Sequence, residues 1–440
     1  MSLWFKIDLS FILFFIDGRR SRFYDSSTMT LTAPNVSKTL QWLTALPRHR
    51  FIMLLLPAMA CLRFGLFALV FLVLKYPVHG DVARYYYPEA LAVLHGLLPG
   101  HDFHVSYAPL FSYLAALPVC CWHSPMSIII FTMLLELCTL PCWIMLAEQA
   151  FGKTVSYRAA LLYVFNPLAL CYSALFGSSQ LWLALLLALA LLARQKKKDF
   201  VSGVALGAAL VMIKALAVLF VPALVATAAK KRRWMLGFLL PVILVVGACL
   251  ARHIDVLGPF TIESSRYTSG NLPYLCSIAG IDISTRWVHL LSYLALAVAL
   301  GVLFFRAYQR RLFAAQHGAI YLISLTLLLF MLISSKSFTT YLLLAWYPLC
   351  ICLCAAHTSR WMPWWFSLWS LLALCEPGIW IRWMNKADFR LFTSHAIGAG
   401  ASRPAMLIFL AVEVLLLAGY IYGIRMIWRR SESGSDLLAQ

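Results

Sequence analysis

Apolar runs alternate with short basic clusters along almost the whole of this chain. The runs at 51–75, 126–148, 158–176, 180–193, 200–214, 215–229, 234–252, 287–306, 318–334, 338–356, 361–380 and 405–427 predict about twelve transmembrane helices. Between them lie PRHR at 47–50, GKTVSYR at 152–158, RQKKK at 194–198, KKRR at 230–233, FRAYQRR at 305–311, HTSR at 357–360 and IWRR at 427–430. By the positive-inside rule these clusters mark cytoplasmic helix ends. The alternation closes only if YAPLFSYLAALPVCCW, at 107–122, does not cross. That stretch is short, opens on a Tyr-Ala-Pro turn and contains Pro118, so it reads as a half-helix lying at the outer surface. A single transmembrane domain over 51–428 follows, with extracytoplasmic loops at 76–125, 253–286 and 381–403 and a cytoplasmic tail at 429–440.

Composition agrees. The chain has 440 residues, of which 62% are hydrophobic and only 12% charged. No soluble core hides that much apolar surface, so the expected class is an all-α, polytopic integral membrane protein. The net charge of +19 resides in clusters between apolar runs, the pattern of membrane anchors and not of a nucleic-acid partner. Most of the cysteines lie inside apolar runs and form no CxxC pair, which supports neither a zinc site nor a disulfide framework. At the N-terminus LSFILFF is too short to span, and GRRSR follows it instead of preceding it. Residues 1–50 therefore read as a cytoplasmic or interfacial segment, with Met29 an alternative start.

The outward segments hold the candidate chemistry. HGDVARYYYPEALAVLHGLLPG, at 79–100, predicts an interfacial amphipathic helix after Asp81, with Pro88 in its first turn, Gly96 near its end, and Tyr87, Leu91, Leu94 and Leu98 on one stripe. By itself Asp81 reads as a helix cap or a partner for Arg84; Glu89 sits on the same helix. His101, Asp102 and His104 have a spacing suggestive of a metal site, without an evident fourth ligand. Tyr107, Phe111 and Tyr113 read as packing residues more than as stacking platforms, and Arg84, Glu89, Asp102, His104, Tyr107, Gln180, Asn271 and Tyr341 are the candidate substrate contacts. Asn166-Pro167 predicts a kink, and Gln180 follows a turn at Gly177. The runs 200–214 and 215–229 are each about 15 residues, short of the roughly 20 needed to cross. They are expected to meet in a recess with Lys214 at the junction, where a lysine calls for water or an anion. In ESSRYTSGNLPYL, Arg266 and Asn271 have the reach for a phosphate or a sugar hydroxyl. Lys336 and Tyr341 stand at an outer boundary. A carboxylate with Lys214, Arg266 and Lys336 on the same face suits one reaction. Asp81 would deprotonate an acceptor hydroxyl while the cations hold a lipid-phosphate leaving group, and attack from the opposite face would invert the anomeric carbon.

The order GDVARYYYPEALAVLHGLLPG, SYAPLFSYLAALP, Asn166-Pro167 with Gly177, Gly203/Gly207 leading to Lys214 and Pro222, and finally Lys336 to Tyr341 resembles the GT-C glycosyltransferases. The likeness is greatest to polyprenol-phosphate-mannose-dependent enzymes of the GPI mannosyltransferase I type and their bacterial GT87-like relatives, and it covers roughly residues 50–350. It implies that Asp81 is the catalytic carboxylate and that Lys214 and Lys336 face the donor phosphate. It also implies a polyprenyl-phosphate sugar donor, mannose favoured, and a lipid-linked or cell-envelope glycan acceptor. The expected setting is the bacterial inner membrane, with the site facing the periplasm. The chain departs from the family at Gln180, where a second acid is frequent, and in having one Asp in the first loop where some members have a pair. No cofactor is called for, and a divalent metal is left open.

Two rival readings predict other features. A transporter or flippase of a lipid-linked precursor needs internal repeats and ionisable residues near mid-membrane. The sequence shows no repeat, and Arg63, Glu136 and Glu413 are the main buried ionisable residues. A structural subunit of a glycan-assembly complex would make Asp81 dispensable.

Overall fold

The computed structural model describes residues 42–256, 258, 268–278, 285–356, 361–379 and 403–436, apart from the side chains of 277–278, 403–406 and 432–436. The chain divides into Met1–Ala45, of which only a short helical turn is described, and Leu46–Gln440. Calls on 1–28, 357–360, Arg266 and 381–402 lie outside the described residues. The second unit is helical, and the only strand-like contact among its described residues is a bridge between Pro99 and Phe103.

Each of the twelve apolar runs is helical over most of its described residues. In chain order the helices are α1 (Arg48–Phe67, prolonged by a π-helical turn, Ala68–Val73), α2 (Tyr87–Leu94), α3 (Phe111–Cys121), α4 (Pro125–Phe151), α5 (Lys153–Val164), α6 (Pro167–Ala174), α7 (Gln180–Gln195) and α8 (Asp199–Met212). A 3₁₀ turn (Ala215–Phe220) leads to α9 (Val221–Thr227), and α10 (Lys231–Ala251), α11 (Leu272–Ile278), α12 (Arg286–Gln309) and α13 (Gly318–Ile333) follow. A second 3₁₀ turn (Thr339–Ala345) leads to α14 (Trp346–Ala356), then α15 (Met362–Ile379) and α16 (Arg403–Asp436). Among the described residues, 6 helices are long and apolar enough to cross a membrane, and shorter apolar helices accompany them. The protein is a polytopic membrane protein.

Burial sorts the helices. The segment Thr339–Ala356 is 83% buried over its apolar window and forms the centre, whereas α12 is 17% buried. The exposed side of α12 carries Trp287, Leu291, Leu294, Val298 and Phe305. In lipid such a face needs no protein partner, because hydrocarbon solvates it as well as a core does. The interior holds a closed ion pair. Arg63 of α1 donates from Nη2 and Nε to the two Glu136 carboxylate oxygens at 3.0 and 3.2 Å and from Nη1 to the Val164 carbonyl. Tyr163 adds its hydroxyl to Glu136 at 2.7 Å.

Local sequence sets the breaks. Asn166 caps α6, its side chain accepting from the Leu168 and Ala169 N–H groups, with Pro167 in the first turn. The predicted kink is thus a capped restart of the helix. Asn166 also donates to Ser370 at 3.0 Å, fastening α6 to α15. Gly203 and Gly207 let α8 lie against α10. A Cβ on Gly203 would stand 2.1 Å from the Trp234 carbonyl oxygen, and one on Gly207 2.3 Å from that of Phe238. Lys214 stands two residues beyond the end of α8.

The expected amphipathic helix needs correction. A π-helical turn, Val82–Tyr86, precedes α2, which stops at Leu94, so Leu98 lies outside it. The wider turn rotates the segment: Val82, Tyr86, Glu89 and Ala90 are buried, while Leu94 is exposed. The stripe Tyr87–Leu91–Leu94–Leu98 is therefore not the buried face.

Candidate active site

Asp81 sits where a capping residue would, yet it makes no capping hydrogen bond. Its Oδ2 instead accepts the Tyr107 hydroxyl at 2.9 Å. Arg84 is exposed, and the described salt bridges are Arg48–Glu148, Arg63–Glu136 and His101–Asp102, so neither simple role predicted for Asp81 holds. Two glycines shape the approach. Gly80, with φ +74, turns the chain into Asp81, a conformation that side chains rarely adopt. Gly177, with φ +54, presses on the residue after Asp81: its Cβ would lie 3.0 Å from Val82 Cγ2. Beyond it, Ser179 accepts the Tyr86 hydroxyl at 2.9 Å. The turn that begins α7 thus clamps the segment carrying Asp81.

Tyr107 is the hub of the site. Its ring meets Tyr86 edge-on, with centroids 4.9 Å apart, and packs on Phe111 at 4.6 Å. Burial raises the pKa of both tyrosines, with the Asp81 charge adding to it, so each keeps its proton and acts as a donor. The Lys214 ammonium stands 5.4 Å from the Tyr107 ring centroid and 4.3 Å from that of Tyr341. Lys214 itself is extended, at φ −156 and ψ 136, between α8 and the following 3₁₀ turn. The junction is fixed by the Leu110 N–H, which donates to the Val211 carbonyl at 3.1 Å and ties the start of α3 to the end of α8. Asp81, Tyr107, Lys214 and Tyr341, scattered along the sequence, thus converge on one place.

Lys336 is half-buried in the turn between α13 and the 3₁₀ segment that bears Tyr341, and its backbone N–H reaches Ser334 Oγ at 3.2 Å. Other candidates are engaged elsewhere. Glu89 is buried and takes the Ser112 hydroxyl at 2.7 Å and the Ser106 N–H at 3.4 Å. Burial raises its pKa, and the Ser112 hydrogen bond partly offsets this. Gln180 is buried and accepts the Ser178 hydroxyl through its carbonyl oxygen. Asn271 is fully buried; its amide donates to the Thr268 carbonyl at 2.9 Å, and its oxygen caps the Tyr274 N–H at 3.0 Å. Asn271 therefore shapes its own turn. Asp102 accepts the Leu98 N–H and pairs with His101, both at 2.7 Å, and these bonds lower its pKa, the Leu98 bond most. Asp102 and His104 are both exposed. No group of three or more His, Cys, Asp or Glu side chains able to hold a metal ion occurs among the described residues.

Sequence reasoning missed two supports. Ser179 looked like an ordinary turn residue; its only signal was its place between Gly177 and Gln180. Glu376 was not singled out, and Glu413 was seen only as a buried acid. In the fold Glu376 accepts the Ser269 hydroxyl and, at 3.0 Å, that of Thr339, while Glu413 accepts the Gly270 N–H at 2.8 Å. Together they anchor residues 268–271 and the turn that leads to Tyr341.

Residues 106–336, just over half of the chain, match the profile of Glycosyltransferase family 87. The chain belongs to that family. It is a membrane glycosyltransferase, and the transporter and structural-subunit readings give way to that. The family match spans Tyr107, Gln180, Lys214, Arg266, Asn271 and Lys336, and it begins after Asp81. No curated protein matches the chain. Among solved structures it is similar to ArnT from Cupriavidus metallidurans bound to undecaprenyl phosphate, at TM-score 0.48 and 14% identity over 92% of this chain and 76% of that one. The apo state of the same protein gives TM-score 0.47 and 14% identity over 84% and 75%.

Proposed function

We propose that this family 87 enzyme transfers a sugar, mannose favoured, from a polyprenyl-phosphate donor to a lipid-linked or cell-envelope glycan acceptor. The active site faces the extracytoplasmic side, in a bacterial cell the periplasmic face of the inner membrane. One observation carries this reading: Tyr107 is hydrogen-bonded to Asp81 and lies under the Lys214 ammonium. A base and a cation are thus held at one place without neutralising each other by direct contact.

The chemistry follows from that separation. The acceptor hydroxyl gives its proton to Asp81 as its oxygen attacks the anomeric carbon, and the bond from that carbon to the phosphate oxygen breaks with inversion. The polyprenyl phosphate leaves with the electron pair. It needs no proton, because Lys214, with Lys336 and Arg266, balances its growing charge. Tyr107 occupies Asp81 Oδ2 and leaves Oδ1 for the acceptor. Tyr341, beneath Lys214, holds the ammonium toward the donor phosphate. Arg84 and His104, and Asp102 beside its bonds to Leu98 and His101, are exposed polar groups that this reading assigns to the sugars.

The test is Asp81→Asn in the purified protein, assayed for release of polyprenyl phosphate from a panel of polyprenyl-phosphate sugars. Turnover should drop by about 10³-fold while donor binding and expression stay close to those of the parent. Near-normal transfer by this variant would sink the assignment.

A further inference from the structure

Two of the basic clusters between apolar runs, at 194–198 and 230–233, lie far apart in the sequence. The fold brings them together. α8 starts from the first cluster and α10 from the second, and Gly203, Gly207 and Gly237 let these helices pack backbone to backbone. Where both begin, Asp199 Oδ2 accepts the Lys230 N–H at 2.7 Å. Beside it, Arg194 Nη1 donates to the Thr227 carbonyl at 3.2 Å. The turn between α7 and α8 and the turn between α9 and α10 are thus pinned to each other.

The pin uses the one acid available. Between 194 and 233 Asp199 is the only acidic residue, and it is buried. Positions 196–198 and 230–233 are all Lys or Arg, and all are exposed. Among the described residues no salt bridge reaches any of them. The backbone adds to this field. The first turn of α10 carries Lys231, Arg232 and Arg233 and no acid, although the positive end of a helix dipole favours an acid there. Like charges held together in this way draw anions to the surface.

The border of the patch selects the anion. Phe200 and Val201 on α8 and Leu236 on α10 are exposed, each within three residues of a cluster. The apolar window of α10 is only 22% buried, so hydrocarbon is the solvent of its outer face. The cations therefore stand at the edge of the bilayer, the level of lipid head groups. A soluble polyanion would match the charges and leave this apolar border unmatched. A phospholipid supplies a phosphate for the cations and acyl chains for the border. The patch is also separate from the transfer site. α8 runs 14 residues from Asp199 to Met212, a rise of about 20 Å, and Lys214 lies beyond its far end.

We infer that the 194–198 and 230–233 turns form one binding surface for the head group of an anionic phospholipid, in the leaflet at that end of α8 and α10. The test uses the full chain in a neutral detergent, titrated with phosphatidylglycerol, phosphatidylcholine and inorganic phosphate. Amide exchange over 196–202 and 230–234 is followed. Phosphatidylglycerol should slow exchange saturably, and the other two should not. Lys198→Gln with Arg233→Gln, one change in each turn, should raise the half-saturating lipid concentration about 30-fold. Arg306→Gln with Arg311→Gln, which removes two exposed cations elsewhere, should leave it near the parent value. If the first double variant fails to fold, the parent itself decides: raising salt from about 50 to about 500 mM should weaken the protection markedly. The proposal is overturned by absence of protection with phosphatidylglycerol, by equal protection from phosphatidylcholine, or by protection that salt leaves unchanged. Saturable protection by inorganic phosphate alone would make the patch a free-anion site and overturn the lipid assignment. Equal weakening in the two double variants would reduce the effect to net charge. None of these outcomes depends on the role of Asp81.

Discussion

Arg63 with Glu136 and Asp81 with Lys214 bring opposite charges near each other in opposite ways. Arg63 and Glu136 are both buried and close on each other through two hydrogen bonds, with Tyr163 and the Val164 carbonyl filling the remaining sites. Asp81 and Lys214 share one tyrosine instead. Its hydroxyl goes to the acid, and its ring faces the cation. The first pair spends its charge on joining α1 to α4. The second sets the acid and the cation on different parts of one aromatic residue, the separation on which the proposed transfer relies.

The comparison can be broken from either side. Glu136→Ala should destabilise the protein by about 3–5 kcal/mol, because it strands a buried guanidinium, whereas the double change Arg63→Met with Glu136→Met should restore most of that loss. Thermal unfolding in detergent checks both, and a mild Glu136→Ala would mean that the pair does not hold α1 in place. Lys214→Met should act on binding: the donor KM should rise about 10- to 100-fold, the range for one charge-assisted contact, with little change in unfolding temperature. An unchanged donor KM would remove Lys214 from the site. Tyr107→Phe keeps the ring under Lys214 and removes the hydroxyl that binds Asp81. A fall in kcat of about tenfold with donor KM near the parent value would separate the two functions of that tyrosine.

The smallest expected effect concerns Glu89. Its pKa in the folded protein is raised, above all by burial. A carboxyl that holds its proton more tightly when folded contributes stability at low pH. That contribution is lost as pH rises from the ordinary carboxylate range through the raised value. The unfolding temperature should therefore fall across that window, and Glu89→Gln should flatten the slope.

Much of this was legible in the order of residues. The apolar runs, a short helix within 107–122, the break at Asn166-Pro167 and the junction at Lys214 all follow from length, proline placement and the cost of an ion in lipid. The amphipathic stripe was misread because a π-helical turn shifts register by a fraction of a turn, and no spacing rule signals that. Glu89, Gln180 and Asn271 looked like substrate contacts because a polar residue in an outward segment looks the same whether its partners are sugar or protein. Here Ser112, Ser178 and Tyr274 turned out to be those partners.

By itself the sequence determined the class of protein and offered the candidate residues for its site. Hydrophobic length dictates which segments become apolar helices, and few charges survive in lipid without a role. Only the tertiary structure decided which ingredients meet. Asp81, Tyr107, Lys214 and Tyr341 come together because glycines let α8 lie against α10 and let the Gly177 turn press on Val82, contacts between segments far apart in the chain. Local pattern is written in each segment. The register between segments depends on how their surfaces interlock, and that is settled only when they pack.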